Sequence, residues 1–178
     1  PSDFNTCMES IWIYQSLKPS EMILVEDGEL TPELYKEIDF WASKLGNILK
    51  IIKISKNVGT GKAKNLGLQH CSYEIVCIVD TDDICAENRF KYQLNYFTQH
   101  PDISILGGQI IEFTGNIENV SGIRHVPEEH TALVKYAKKQ SPFNNMTIAY
   151  RKEHVLNVGG YQHHLWMEDY NLFLRLIA

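Results

Sequence analysis

Residues 74–90, EIVCIVDTDDICAENRF, join an apolar run to a cluster of acidic side chains. The apolar part, 74–79, has the length and β-branched content of a buried strand. Three aspartates, Asp80, Asp82 and Asp83, follow it within four positions. Carboxylates crowded in this way repel one another at neutral pH unless a positive charge lies between them. A divalent cation with oxygen ligands would supply that charge, so the segment predicts a metal-dependent site at the end of a strand.

Two plainer explanations of the acidic cluster are available. Asp82 or Asp83 could cap a helix that begins near Ala86, but a cap accounts for only one of the carboxylates. A calcium loop of the EF-hand type does not fit, because Cys85 stands where that loop requires glycine and Lys91 stands where it requires glutamate. The functional interpretation is therefore favoured over the purely structural one.

The remainder of the chain alternates strand-like runs with helical periodicity. Strands are predicted at 21–25, 48–54, 74–79, 102–113 and 146–150, and helices at 31–46, 62–70, 86–100 and 167–176. This order favours an α/β fold with a mostly parallel sheet and helices on both faces. Ligands of such sheets bind beyond the carboxyl ends of the strands, where Glu26 and Asp27 also follow a predicted strand.

Composition narrows the class of protein. With 178 residues and 44% hydrophobic residues, the chain predicts one globular domain, and a net charge of -5 without a basic block argues against a nucleic-acid partner. The four scattered cysteines favour free thiols in a reducing cytoplasm. No apolar run reaches the length of a membrane span and no signal peptide is evident, which predicts a cytoplasmic protein and leaves peripheral membrane contact open.

Three blocks of the sequence, in order, resemble glycosyltransferase family 2, the inverting nucleotide-sugar transferases with the GT-A fold. The blocks are SLKPSEMILVEDG (16–28), NVGTGKAKNLGLQHCSYEIVCIVDTDDICAENRF (57–90) and VGGYQHHLWMEDYNLFLRL (158–176). The resemblance implies a Rossmann-like GT-A fold and transfer of a sugar, with inversion, from a UDP-linked donor to a hydroxyl of a glycan or lipid-linked acceptor. It also implies Mn²⁺ or Mg²⁺ as cofactor and a role in bacterial surface polysaccharide synthesis.

The resemblance also implies roles for individual residues. It implies a nucleotide-binding set of Glu26, Asp27, Asn57, Gly59, Asn65 and Asp80, in which Asp27, with Glu26 beside it, contacts the base. Lys64, next to Asn65, is included in this nucleotide-binding set because its side chain could approach the diphosphate. The D-x-D element, Asp80 and Asp82, would engage the metal on the diphosphate. Asp169 would be the catalytic base, with Glu168 beside it. His163 and His164 are weaker candidates as metal ligands, because adjacent side chains on a loop point in different directions.

The sequence departs from the family pattern at both ends. No segment before residues 5–17 matches the family's first strand, and little follows the Glu168–Asp169 pair, so residues 1–178 are predicted to be one GT-A domain without those elements. A haloacid-dehalogenase-like phosphatase is an alternative, although Ile84 replaces the threonine or valine of its motif. A second alternative is a truncated module that binds nucleotide sugar without chemistry. Glu168 and Asp169 could also simply stabilise the start of a helix.

Overall fold

The structure is a computed structural model that describes residues 1–162, 164 and 166–178. The helices are α1 (Ser2–Trp12), α2 (Pro32–Leu45), α3 (Thr60–His70), α4 (Arg89–Gln99), α5 (His130–Tyr136), α6 (Lys152–Asn157) and α7 (Glu168–Ile177). The strands are β1 (Met22–Asp27), β2 (Leu49–Ile54), β3 (Ile75–Cys77), β4 (Ile105–Leu106), β5 (Ile110–Phe113), β6 (Val120–Arg124) and β7 (Ala149–Arg151). Short 3₁₀ turns occupy Gly46–Ile48 and Asn145–Thr147.

The unit β1–α2–β2 forms as the sequence predicts. The two strands are parallel, with Met22 opposite Leu49 and Asp27 opposite Ile54. The hydroxyl of Thr31 accepts a hydrogen bond from the backbone N–H of Leu34 at 3.3 Å, which caps the start of α2. Pro32 in the first turn and a glycine after the last residue complete the helix boundaries.

The second sheet contains a pairing that the alternating pattern did not reveal. Strand β7 lies between β3 and β4 and is antiparallel to both. The strand predicted at 102–113 is divided into β4 and β5, and β5 pairs with β6 as an antiparallel hairpin. Gly107 lies at the division, where a Cβ atom would come within 2.7 Å of the Phe143 ring. The glycine at the division therefore leaves room for an aromatic ring from a distant segment.

Two apolar clusters stabilise the molecule. One packs α1 and α2 against β1 and β2 and contains Trp41, which is fully buried and donates a hydrogen bond from Nε1 to Asn5 Oδ1 at 3.0 Å. Helix α1 was not predicted, although its buried residues recur at helical spacing. The other cluster surrounds β7, α6 and α7 and includes Leu172 and Phe173, both fully buried as the sequence predicts. These two side chains anchor α7 and so fix the position of its first turn.

All four cysteines are free thiols, as predicted. Burial, together with neighbouring negative groups, raises the pKa of Cys7 to about 12. Within the described part of the chain, none of the helices combines the length and the apolar character needed to cross a bilayer.

Candidate active site

Asp27, at the end of β1, holds the loop that leads into α3. Its Oδ1 accepts a hydrogen bond from the backbone N–H of Val58 at 2.7 Å, and its Oδ2 accepts one from Gly59 at 3.1 Å. The side-chain amide of Asn57 donates to the backbone oxygen of Asp27 at 3.3 Å. The structure thus brings together three residues of the predicted nucleotide set and gives the Asp27 carboxylate a positioning role; its contact with a base stays a prediction.

Glu26 has different surroundings from its neighbour, because successive side chains of a strand point to opposite faces. It is only 3% exposed, and its Oε2 lies 3.5 Å from Lys53 Nζ. Its Oε1 has no hydrogen-bond partner among the described residues. Glu26 lines a cleft of about 380 Å³ together with Tyr35, Lys53 and Ser55. The two adjacent carboxylates therefore do not share one surface.

A second cleft, of about 340 Å³, lies between the first turns of α3 and α7. Its lining residues are Gly59, Thr60, Gly61, His164, Trp166, Glu168 and Asp169. Gly59 caps α3 with a φ of 89°, a conformation that favours glycine. Backbone N–H groups at a helix start attract negative charge. The loop predicted to bind nucleotide and the predicted catalytic pair thus border the same cleft.

Asn65 and Lys64, on α3, both contact Tyr161. The Asn65 side chain accepts a hydrogen bond from the backbone N–H of Tyr161 at 2.8 Å and donates one to its carbonyl oxygen. Lys64 Nζ lies 5.6 Å from the centroid of the Tyr161 ring. Both polar atoms of Asn65 are therefore engaged within the protein, where they join α3 to the segment before α7. Nucleotide contacts of Asn65 and Lys64 stay predictions.

The acidic cluster after β3 is crowded, as the sequence predicts. Asp80 is half-buried, and each of its carboxylate oxygens lies 3.4 Å from Asn145 Nδ2. Asp82 is exposed to solvent. The pKa of Asp83 is raised, first by burial and then by the negative charges of Asp80 and Asp82. The negative charges of Asp80 and Asp82 thus act on the half-buried Asp83 carboxyl, and a cation bound among the three side chains would relieve that repulsion.

The carboxylates of Asp80 and Asp82 fit Mg²⁺ or Mn²⁺ as part of a ligand shell that substrate phosphates would complete. In the part of the chain that the structure describes, no group of three or more His, Cys, Asp or Glu side chains converges as a metal cage. Mg²⁺ at phosphate-transfer sites is commonly held by one or two carboxylates, while substrate phosphates complete its ligand shell. Asp80 and Asp82 offer such a partial set of hard oxygen ligands. His164 lines the second cleft, and His163 lies outside the described residues.

Tyr161 is a buried tyrosine in the segment that leads to the second cleft. It is 3% exposed, and its hydroxyl makes no hydrogen bond of normal geometry among the described residues, although it lies close to the hydroxyl of Tyr150. Its pKa is raised well above the usual range by burial and the nearby Tyr150, with smaller contributions from the carboxylates of Asp169 and Asp80. Both aspartates therefore lie within electrostatic reach of one buried hydroxyl.

Asp169 occupies the first turn of α7, and its Oδ1 accepts a hydrogen bond from the backbone N–H of Tyr170 at 2.6 Å. This contact agrees with helix-start stabilisation and leaves Oδ2 as a second oxygen for an acceptor.

The sequence interpretation missed three residues of this region: Asn145, Tyr161 and Trp166. Trp166 lines the second cleft, is 88% exposed and has a φ of 70°, which is rare for a bulky residue. Asn145 directly precedes an apolar run, as a polar residue at a strand end would, and that position was its one signal. No local pattern pointed to Trp166.

Two solved structures share the fold of this chain. The Staphylococcus aureus TarS fragment 1–349 matches with a TM-score of 0.72 and 22% identity over 98% of this chain and 51% of that chain. The mannosyltransferase PcManGT from Pyrobaculum calidifontis, solved with GDP-Man and Mn²⁺, matches with a TM-score of 0.70 and 16% identity over 96% of this chain and 47% of that chain. These similarities confirm the α/β fold of the GT-A type.

Several curated relatives match the chain over its full length. They include an uncharacterized glycosyltransferase of Haemophilus influenzae at 42% identity and the amylovoran biosynthesis glycosyltransferase AmsE of Erwinia amylovora at 38%. The UDP-Gal:alpha-D-GlcNAc-diphosphoundecaprenol beta-1,3-galactosyltransferase of Escherichia coli is 36% identical. The chain spans 65%, 65% and 63% of these three relatives, respectively.

The model of the family described as "Glycosyl transferase family 2" matches residues 5–164. This match covers all of the first two sequence blocks. It rules out the alternative of a haloacid-dehalogenase-like phosphatase, because the D-x-D element resembled the motif of that class only in part. The chain belongs to glycosyl transferase family 2.

Proposed function

We propose that this protein transfers a hexose, with inversion, from a UDP-linked donor to a hydroxyl of a glycan or lipid-linked acceptor. The observation that best supports the proposal is the second cleft, where the glycine loop of α3 faces Glu168 and Asp169. The Escherichia coli relative is named for a UDP-Gal donor and a diphosphoundecaprenol-linked acceptor, and the Erwinia relative for amylovoran synthesis. A role in bacterial surface polysaccharide assembly, at the cytoplasmic side with peripheral membrane contact, is part of the proposal.

The proposed reaction is a single displacement. The acceptor hydroxyl attacks the anomeric carbon while the Asp169 carboxylate takes its proton, a role open to a carboxylate within hydrogen-bond reach. The new bond joins the acceptor oxygen to the anomeric carbon, and the bond from that carbon to the diphosphate oxygen breaks on the opposite side. UDP leaves with the bonding electrons, so the configuration at the anomeric carbon is inverted.

Other residues of the chain are proposed to bind the diphosphate and the metal. The carboxylate of Asp27 keeps the backbone N–H groups of Val58 and Gly59 in place at the start of α3. That helix start, together with Lys62 and Lys64 in its first turns, provides a positive environment for the diphosphate. Asp80 and Asp82 would hold Mn²⁺ or Mg²⁺, which when bound neutralises negative charge that develops on the leaving diphosphate.

A nucleotide panel tests the proposal. Thermal stabilisation of the full-length protein is measured with UDP, GDP, dTDP and CMP, each with Mn²⁺ or with EDTA. A ligand that binds only the folded state stabilises it by about 2.7 kcal/mol at 100 times its dissociation constant. We expect UDP with Mn²⁺ to give the largest shift and Asp82→Asn to remove the effect of the metal.

Two results of this panel would count against the proposal. Equal UDP binding with Mn²⁺ and with EDTA would contradict the metal requirement, and preference for another nucleotide would contradict the donor. Binding of UDP-sugar without any transfer to an acceptor would instead support the alternative of a binding module without chemistry.

A further inference from the structure

Asn145 lies beside Asp80 although 65 residues separate them in the sequence. The backbone N–H of Ile78, which continues β3, donates to the carbonyl oxygen of Ile148 at 2.9 Å. The 3₁₀ turn Asn145–Thr147 then places Asn145 opposite the end of that extended segment, where Asp80 begins the acidic cluster. This position is set by backbone pairing and not by the side chain of Asn145 itself.

The side-chain amide of Asn145 has one polar partner among the described residues. Its Nδ2 lies 3.4 Å from both carboxylate oxygens of Asp80, whereas its Oδ1 is buried and accepts no hydrogen bond. Rotation of the amide by half a turn would bring its oxygen against the carboxylate, so the observed orientation is the one that favours Asp80. A buried carbonyl oxygen without a donor is unfavourable, and such exceptions call for a functional explanation.

The neighbouring Asn144 shows what a structural amide looks like in this segment. Its Nδ2 donates to the backbone oxygens of Gly108 at 3.0 Å and Arg124 at 3.4 Å, and the residue is 5% exposed. Asn144 therefore joins the segment to both ends of the β5–β6 hairpin. Among the described residues, the Asn145 side chain makes no comparable hydrogen bond to the backbone.

We propose that Asn145 is a positioning residue that orients the Asp80 carboxylate for metal-dependent binding of the donor nucleotide. A neutral amide suits this task, because it donates hydrogen bonds to Asp80 without cancelling the charge that a cation would need. A lysine or arginine at this position would form an ion pair with Asp80 and compete with the cation. The inference rests on the proposed function, since it assigns Asp80 to the donor site.

The test measures UDP affinity by calorimetry for the full-length protein, with Mn²⁺ and with EDTA, alongside its melting temperature. Asn145→Ala and Asn145→Leu, the second of similar volume, are compared with Asn144→Ala. We expect both Asn145 variants to bind UDP at least fivefold more weakly with Mn²⁺ and unchanged in EDTA, with a melting temperature equal to or above that of the wild type. Asn144→Ala should lower the melting temperature and keep the ratio of the two affinities.

Three results would overturn the inference. An unchanged Mn²⁺-dependent affinity in both Asn145 variants would show that Asp80 needs no orientation by the amide. If the Asn144 and Asn145 variants lost UDP affinity in proportion to their loss of melting temperature, the role of Asn145 would be structural. If the wild-type protein bound UDP equally with and without Mn²⁺, the metal requirement of the proposed function would fail first and this inference with it.

Discussion

Gly61 on α3 lies directly against Glu168 in the first turn of α7: a Cβ atom at Gly61 would be 3.1 Å from the Glu168 Cβ and 3.3 Å from the Gln162 carbonyl oxygen. The absence of a side chain at Gly61 therefore sets how closely the two helix starts approach. Because the second cleft lies between those starts, its width depends on this contact.

Substitution of Gly61 tests that dependence. Gly61→Ala should push the first turn of α7 outward by a few tenths of an ångström. The usual cost of overpacking, about 1–3 kcal/mol, should be offset in part by the gain of about 1 kcal/mol that alanine gives over glycine in a helix. Transfer activity should fall, because Asp169 moves with α7. Gly108→Ala is the matched control, since its Cβ would meet Thr147 at an ordinary 3.6 Å. Equal effects of the two substitutions on activity would show that the Gly61 contact does not set the cleft.

Asp169→Asn should separate chemistry from binding. The change is nearly isosteric and removes the proton-accepting charge, so transfer should fall about 100-fold or more, the scale on which general bases contribute. UDP affinity should stay near that of the wild type. Glu168→Gln serves as the comparison, and steady-state rates with UDP titrations measure both quantities. Near-normal transfer by Asp169→Asn would make Glu168 the candidate base, and lost UDP binding would place Asp169 in the donor site.

Asp27→Ala should weaken UDP binding and leave the effect of Mn²⁺ on the remaining affinity intact. The substitution removes the proposed contact with the base and also the two acceptors of the Val58 and Gly59 N–H groups. Asp27→Asn keeps one acceptor oxygen and should recover part of the stability, as measured by the melting temperature. If Asp27→Asn had the melting temperature and the UDP affinity of the wild type, the hydrogen bonds to Val58 and Gly59 would account for the effect of Asp27→Ala, and no contact with the base would be needed.

Glu21 should make stability depend on pH. Its carboxylate accepts hydrogen bonds from the Ser72 N–H at 2.7 Å, the Ser72 hydroxyl at 2.8 Å and Lys50 Nζ at 2.5 Å. Burial acts to raise its pKa, but the hydrogen bonds from Lys50 and Ser72 outweigh burial, so the pKa is lowered on folding. A lowered pKa contributes stability above the ordinary value of 4.5, and this contribution is lost as pH falls through the folded pKa.

Glu21→Gln should therefore lower the free energy of unfolding at pH 7. The expected loss is only about 1 kcal/mol, because solvent screens the charge of the exposed Lys50 partner. The difference from the wild type should shrink as the pH falls from 4.5 through the lowered folded pKa, below which the wild-type carboxylate is also neutral. Urea denaturation at several pH values measures both effects, with the exposed Glu118→Gln as control. A difference that stayed constant down to pH 3 would contradict the assignment.

Features that depend on neighbours along the chain could be predicted from the amino-acid sequence. The boundaries of α2 follow from Thr31, Pro32 and a terminal glycine, which act within one helical turn. The acidic cluster after β3 and the carboxylate at the end of β1 could be located because the strands before them are apolar and the break is abrupt. The buried face of α7 followed from its periodicity.

The pairing of segments that are distant in the sequence became visible only in the folded protein. The antiparallel entry of β7 between β3 and β4, the division of residues 102–113 near Phe143 and the contact of Asn145 with Asp80 all join segments dozens of residues apart. Propensity, periodicity and capping act over a few residues, so they carry no information on such pairs. These contacts form because the alternatives leave strand edges unpaired and apolar faces exposed, a balance that only the whole fold settles.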